Sequence, residues 1–187
     1  MEHQATERYE VRLSGTGGQG LMLAGRLLAE AAVLDGKNVV QTQSYGPEAR
    51  GGKSKSDVVI STGDIHYPKA MHVDVLLAMS QQSLNEYAAS LKDGGTLIVD
   101  SYAVDEIPQE NAIRIPCTLL AIEHCGRGLF ANVVALGAIT ELTGVVRWES
   151  LREAVLARVP KGTEEINEKA LAVGREAARE AMTKGDG

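Results

Sequence analysis

The sequence is poor in aromatic residues and has only two cysteines. One Trp, five Tyr and one Phe make up 4% of its 187 residues, while Gly and Ala are abundant. Chains of this composition pack their backbones closely and present flat surfaces to partners. Cys117 and Cys125 are eight residues apart, with no C-x-x-C pair. This spacing excludes an iron–sulfur cluster or a structural zinc site held by this chain alone, and we expect two buried thiols.

Neither the charge nor the apolar runs indicate a nucleic-acid or membrane partner. The formal net charge is −6, the pI is about 5.3, and there is no basic run. The longest apolar stretch, residues 129–139, is too short to span a bilayer, and the first residues, MEHQATERYE, do not resemble a signal peptide. We therefore expect a soluble, cytoplasmic protein with one domain over residues 1–187. Its core lies at about 8–160 and its C-terminal helix at about 163–184.

A glycine-rich turn joins a short apolar strand, residues 9–13, to a long apolar helix that begins near residues 19–20. The candidate contact residues of the turn are Gly15, Gly17, Gly18, Gln19 and Gly20. The first, second and last glycines of GTGGQG, Gly15, Gly17 and Gly20, match G-x-G-x-x-G between a strand and a helix. Glycines permit positive φ and close approach, and the free N–H groups at the helix start favour an anion.

The strand after this helix, residues 38–43, lacks the acid of a dinucleotide site. It ends in QTQ, whereas a ribose-binding strand ends in Asp or Glu. The nearest acids, Asp35 and Glu48, lie before the strand and in the loop beyond it. NAD binding is therefore disfavoured. The simpler interpretation is that the glycines let the turn pack tightly against a neighbouring chain.

The remaining pattern alternates buried strands with helices. Strands are predicted at residues 57–61, 73–79, 96–99 and 112–115, with a short antiparallel return at 65–68. Helices are predicted from Ser80 until Gly94 and Gly95 end the first, then at 119–125, 129–142 and 148–159. This order predicts a three-layer α/β/α fold with a mainly parallel, mixed-edge sheet and a helical C-terminal part.

The loop at residues 44–55 is the best candidate for ligand contact. Its candidate site residues are Ser44, Tyr45, Glu48, Arg50, Gly51, Gly52 and Lys53. Arg50 has the geometry to clamp a carboxylate or phosphate with two hydrogen bonds. Pairing of Arg50 with Glu48, or a bridge between subunits, remains equally open. Asn132 interrupts an apolar helix and must be hydrogen-bonded if buried, so it either holds a loop or faces an active-site cleft.

These motifs together resemble one family. They are G-T-G-G-Q-G-x3-A-G at the start, S-Y-G-P-E-A-R-G-G-K-S-K-S-D, Y-P near residue 67, and A-N-V-V-A-L-G-A at 131–138. The sequence resembles the gamma subunit of the 2-oxoacid:ferredoxin (acceptor) oxidoreductases, which is equivalent to the gamma domain fused within pyruvate:ferredoxin oxidoreductase. The resemblance covers about residues 8–175. QTQSYGPEARGG and IPCTLLAIE are most similar to the 2-oxoglutarate branch, with arylglyoxylate, branched-chain and pyruvate relatives left open.

The resemblance implies a complex in which this chain holds no cofactor alone. Alpha and beta subunits would carry thiamine diphosphate with Mg, and a delta subunit or its equivalent would carry [4Fe–4S] clusters. The reaction would convert a 2-oxoacid and CoA to acyl-CoA, CO2 and reduced ferredoxin or another reduced acceptor. The thiamine signature is not visible, since G-D-G occurs at residues 185–187 without the Asn expected about two dozen residues later. This chain would shape or close the active site and contact CoA. The alternatives are a purely structural scaffold and a free-standing nucleotide-binding module.

Overall fold

The computed structural model describes residues 7–46 and 52–185. The strands are β1 (Arg8–Thr16), β2 (Asn38–Tyr45), β3 (Lys53–Ser61), β4 (Val73–Ala78), β5 (Leu91–Asp100) and β6 (Ile113–Ile115). The helices are α1 (Leu21–Leu34), α2 (Gln81–Tyr87), α3 (Cys117–Cys125), α4 (Ala131–Thr143), α5 (Trp148–Arg158) and α6 (Glu164–Gly185). Short 3-10 turns at Ala88–Ser90 and Gly128–Phe130 precede β5 and α4.

The strands form one mixed sheet in the order β2-β3-β1-β4-β5-β6. The pairs β1–β4, β4–β5 and β5–β6 are parallel, whereas β3 runs antiparallel to both β1 and β2. Because both neighbours of β3 oppose it, β1 and β2 point the same way. The mixed sheet with helices on both faces confirms the predicted three-layer α/β fold.

The two faces of the sheet are covered unequally. Val11, Leu13, Val75 and Leu77 point into the larger core, which also contains residues of α1, α3, α4, α5 and α6. The alternate residues of β4, such as Leu76, point to the smaller core under α2. This alternation is the period-2 pattern of a strand.

Helix α4 is buried along most of its length and crosses α6 at unusually close range. Two glycines permit the approach. A Cβ on Gly174 would overlap the carbonyl oxygen of Val134 and lie 2.7 Å from its carbonyl carbon. A Cβ on Gly137 would lie 3.0 Å from the carbonyl carbon of Leu171. These two glycines thus mark a close contact between the backbones of α4 and α6.

Three expectations about elements were wrong. Residues 65–68, predicted as a short antiparallel strand, form no strand. The strand that does run antiparallel to its neighbours is β3, which lies inside the sheet. The loop predicted at 44–55 is shorter, because β2 extends to Tyr45 and β3 already begins at Lys53. Gly94 and Gly95 end no helix, since α2 ends at Tyr87 and both glycines belong to β5. There the register against β4 shifts, which accommodates Gly94 at φ 76.

Candidate functional site

The candidate residues that the structure describes converge on one edge of the sheet. The glycine turn follows the carboxyl end of β1, and Ser44 and Tyr45 end β2 at the same edge. Because β3 is antiparallel, its first residue, Lys53, also lies there. The Gly17 N–H donates to the Gly52 carbonyl at 2.8 Å, which ties the turn to the start of β3. In open α/β sheets, ligands bind in the crevice beyond the carboxyl ends of the strands.

The Gln19 side chain braces the glycine turn from inside. Its Oε1 accepts the Thr16 N–H at 2.7 Å, and its Nε2 donates to the Met79 carbonyl at 2.9 Å. Gly15 leaves the space for this side chain, because a Cβ there would overlap Gln19 Oε1. The brace joins the turn after β1 to the end of β4. The Thr16 amide is consequently occupied by a protein acceptor, which weakens the interpretation of the turn as an anion cradle.

Asn132 holds the other end of the turn. Its Nδ2 donates to the Gly20 carbonyl at 3.1 Å, and the residue is only 5% exposed. Gly20 is the N-cap of α1 and has φ 71, a left-handed conformation that glycine tolerates best. A Cβ on Gly20 would lie 2.5 Å from Asn132 Nδ2. The structure therefore places Asn132 against a loop, the first of the two positions left open by the sequence.

Gly20→Val should damage the assembly or its activity. The substitution puts a β-branched residue at positive φ and drives its Cβ into Asn132, which should cost on the order of 1–3 kcal/mol. Gly17→Val should act in the same direction, because a branched side chain would crowd the close backbone approach at which the Gly17 N–H donates to the Gly52 carbonyl. The measurement is complex yield and turnover for each variant, with Gly128→Ala as control, since its φ is not positive and its Cβ would meet nothing closer than 3.4 Å. Wild-type yield and turnover in both valine variants would remove the case for this turn.

The second group of candidates is only partly described. Tyr45 is 63% exposed, and Ser44 is also exposed. Lys53 forms an ion pair with Glu86 of α2, and its hydrogen bond lowers the pKa of that carboxyl below its ordinary value. The remaining candidates of this group, Glu48, Arg50 and Gly51, lie outside the described residues.

A buried charged cluster under α2 was missed by sequence reasoning. Arg12 and Asp57 are 5% and 4% exposed and form a two-bond pair, with Nε–Oδ1 at 2.7 Å and Nη2–Oδ2 at 2.9 Å. Arg12 also donates to Ser90 Oγ at 2.8 Å and lies 5.2 Å from the Tyr87 ring centroid. Lys55 Nζ donates to the same carboxylate at 3.1 Å. No local motif could have revealed this cluster, because the β1–β3 register alone brings Arg12 opposite Asp57.

Both cysteines are free and buried, as expected from the sequence. Burial, assisted by the charge of Asp100, raises the pKa of the Cys117 thiol well above its ordinary value. Burial also raises the pKa of Cys125. Asp100 is itself fully buried and accepts the Thr118 hydroxyl at 2.5 Å at the start of α3. These thiols are therefore protonated packing groups, and Asp100 orders a helix start.

Within residues 7–46 and 52–185, no three His, Cys, Asp or Glu side chains are grouped as metal ligands. The donor set that an iron–sulfur cluster requires is therefore missing from this part of the chain, since its cysteines lie buried and apart. None of the helices described is long and apolar enough to cross a membrane.

The fold and this sheet edge define an α/β protein with a braced glycine turn, and comparison with known proteins identifies its family. The model of the family described as pyruvate ferredoxin/flavodoxin oxidoreductase matches residues 10–180. The chain belongs to this family. The resemblance found in the sequence motifs is thereby confirmed.

Curated relatives agree with this assignment. The chain is 49% identical over 178 residues to 2-oxoglutarate synthase subunit KorC of Methanocaldococcus jannaschii, covering 92% of this chain and 95% of that protein. It is 50% identical over 184 residues to KorC of Methanothermobacter marburgensis, covering 94% of this chain and 99% of that protein. Ketoisovalerate oxidoreductase subunit VorA of the latter organism is 40% identical over 149 residues, covering 78% of this chain but 31% of that one.

Solved structures show the same fold. The gamma subunit of keto/oxoacid ferredoxin oxidoreductase from Geobacter sulfurreducens matches with a TM-score of 0.81 and 49% identity, covering 92% of this chain and 99% of that one. The 2-oxoglutarate:ferredoxin oxidoreductase of Magnetococcus marinus matches with a TM-score of 0.83 and 24% identity, covering 93% of this chain and 31% of that one. The second match supports the fold alone.

Proposed function

We propose that this chain is the gamma subunit of a multi-subunit 2-oxoacid:ferredoxin oxidoreductase acting on 2-oxoglutarate. The complex would convert 2-oxoglutarate and CoA to succinyl-CoA, CO2 and reduced ferredoxin. The observation that carries this proposal is the near full-length identity of about half to proteins named 2-oxoglutarate synthase subunit KorC. The 2-oxoglutarate-like motifs QTQSYGPEARGG and IPCTLLAIE support the same choice of substrate.

The cofactors of this reaction would belong to partner subunits. The family resemblance implies thiamine diphosphate with Mg on alpha and beta subunits, and [4Fe–4S] clusters on a delta subunit or its equivalent. Thiamine diphosphate supplies the carbanion chemistry of decarboxylation when bound, and the clusters carry electrons. In this proposal the chain itself shapes and closes a site whose cofactors are held by its partner subunits.

The sheet edge with the glycine turn is the surface suited to that role. Gln19 and Asn132 fix the turn between β1, β4 and α4, and Tyr45 projects into solvent beside it. A rigid edge of this kind can seat against a cofactor-bearing subunit without reordering its backbone. The free-standing nucleotide-binding alternative has less support, because β2 ends without an acid and Gln19 occupies the Thr16 amide.

Arg50→Ala should lower turnover of the complex more than it lowers folding stability. A guanidinium on a glycine-flanked loop of an acidic chain suits an anionic 2-oxoacid or CoA. Its loss should remove about 1.5–3 kcal/mol of transition-state or CoA binding. Arg50→Lys should rescue only partly, because an ammonium cannot reproduce the planar fork. The measurement is steady-state kinetics of the reconstituted complex, with CoA and 2-oxoacid varied separately.

The control for this prediction is Arg152→Ala, which removes an exposed guanidinium of α5 paired with Glu168. It should leave both kinetics and melting temperature unchanged. Unchanged kinetics with a lowered melting temperature in Arg50→Ala would make Arg50 an interface residue, and the scaffold alternative would then be preferred.

The proposed substrate is tested by a panel on the reconstituted complex. We expect kcat/KM for 2-oxoglutarate to exceed that for pyruvate, 2-oxoisovalerate and phenylglyoxylate, each measured with CoA and a viologen acceptor. A higher kcat/KM for any of the other three acids would contradict the assignment of 2-oxoglutarate as the substrate. The proposed type of complex would still stand. Binding of NAD to the isolated chain, without any effect of the chain on the complex, would favour the nucleotide-binding module.

A further inference from the structure

The face of the sheet under α2 is open over β2 and the start of β3. A cleft of about 340 Å³ lies there, between these two strands and residues 69–71. The β2–β3 register pairs Thr42 with Asp57 and Ser44 with Lys55, so these four side chains share one face of the sheet. All four line the cleft, and Lys69, from the segment between β3 and β4, lines it as well. We name it the β2–β3 cleft.

The floor of the β2–β3 cleft carries an excess of positive charge. The Asp57 carboxylate accepts two hydrogen bonds from the guanidinium of Arg12 and a further one from Lys55. Two cations therefore face one carboxylate. Lys53 does not change the balance, because it is paired with Glu86. The side chain of Lys55 is 24% exposed, so its charge is only partly hydrated and would be stabilised by an anion.

The walls of the cleft offer donors that the fold does not use. The Lys69 side chain has no hydrogen bond or ion pair within the part of the chain that the structure describes. The hydroxyls of Thr42 and Ser44 likewise bond to no other described residue. Two ammonium groups and two hydroxyls around one space form the donor set that phosphate and carboxylate oxygens accept.

We propose that the β2–β3 cleft binds a small oxyanion, phosphate or carboxylate in type, between Lys55 and Lys69. Thr42 and Ser44 orient the anion through their hydroxyls, and the Arg12–Asp57 pair fixes Lys55 from below. The anion is either a phosphoryl group or the carboxylate of a small acid. This inference stands apart from the proposed function, because the cleft and its test belong to this chain alone.

The test is a ¹H–¹⁵N chemical-shift titration of the full chain with sodium phosphate, 2-oxoglutarate and CoA in separate arms, each at constant ionic strength against sodium chloride. We expect saturable shifts at the amides of Thr42, Ser44 and Lys55 in at least one arm. Saturation by phosphate and CoA identifies a phosphoryl site, and saturation by 2-oxoglutarate identifies a carboxylate site. Lys55→Gln and Lys69→Gln should each weaken binding by about five- to tenfold.

Lys161→Gln is the matched control, since it removes an exposed ammonium in the loop before α6 and should leave binding unchanged. Lys69→Gln keeps the test valid if Lys55→Gln disturbs the buried cluster, because the Lys69 side chain makes no hydrogen bond or ion pair with the described residues. The proposal is overturned if no arm saturates, or if the Lys69 variant binds as tightly as Lys161→Gln.

Discussion

Gly174→Ala should destabilise the protein by roughly 3 kcal/mol, although alanine is the better helix former. The added Cβ would lie 2.7 Å from the Val134 carbonyl carbon and overlap its oxygen. Backbone cannot move aside as a side-chain tip can, so α4 and α6 must separate. Because residues 131–140 of α4 are all buried, that separation opens the larger core. Helix propensity would return only about 1 kcal/mol of the loss.

The measurement is the free energy of unfolding in urea, supported by a melting curve. A loss of this size should lower the melting temperature by roughly 10 °C for a chain of this length. Gly128→Ala is the control, since its Cβ would meet nothing closer than 3.4 Å and φ is not positive. A Gly174→Ala protein as stable as Gly128→Ala would mean that the two helices are not packed this closely.

Asp57→Asn should cost about 3–5 kcal/mol of folding free energy. The substitution leaves the Arg12 guanidinium buried with the ammonium of Lys55 beside it and no carboxylate between them. Breaking a buried pair by removing one partner is costly because the remaining charge loses both water and counter-charge. The Tyr87 ring lies near both cations but cannot replace the missing ion.

The check is again urea unfolding, with Asp105→Asn as the control on an exposed carboxylate. Asp105→Asn should change the free energy of unfolding little. A double variant, Arg12→Met with Asp57→Leu, should recover much of the loss, because two apolar side chains carry no desolvation cost. If Asp57→Asn proved as mild as the control, the cluster would be hydrated and the inferred charge excess under the β2–β3 cleft would lose its basis.

The local features of this fold could be predicted from the sequence. The strand, glycine turn and helix around Gly15 and Gly20 follow from apolar periodicity and from residues that permit positive φ. The predicted Val73–Met79 strand and the C-terminal helix likewise correspond to β4 and α6. Each of these elements is predicted by residues that are neighbours in the sequence, so a single sequence contains all the information that the prediction needs.

The features that were missed depend on pairing between distant segments. The place of β3 between β1 and β2 is set by hydrogen bonds across the sheet, which hydrophobic patterning does not encode. The Arg12–Asp57 pair joins residues that are close only through that register. The Gln19 brace needed the end of β4 as its acceptor. Gly94 looked like a helix stop because positive φ serves β-bulges and helix ends alike.

Co-purification tests the central claim most directly. The chain is expressed with an affinity tag in its own cells and isolated under anaerobic conditions. We predict that thiamine-binding subunits and an iron-containing subunit come with it, and that this complex reduces a viologen dye with 2-oxoglutarate and CoA. The tagged chain purified alone should be colourless, metal-free and inert. If the chain came alone from its own cells, or if the isolated chain reduced the dye with a 2-oxoacid, the subunit interpretation would be contradicted.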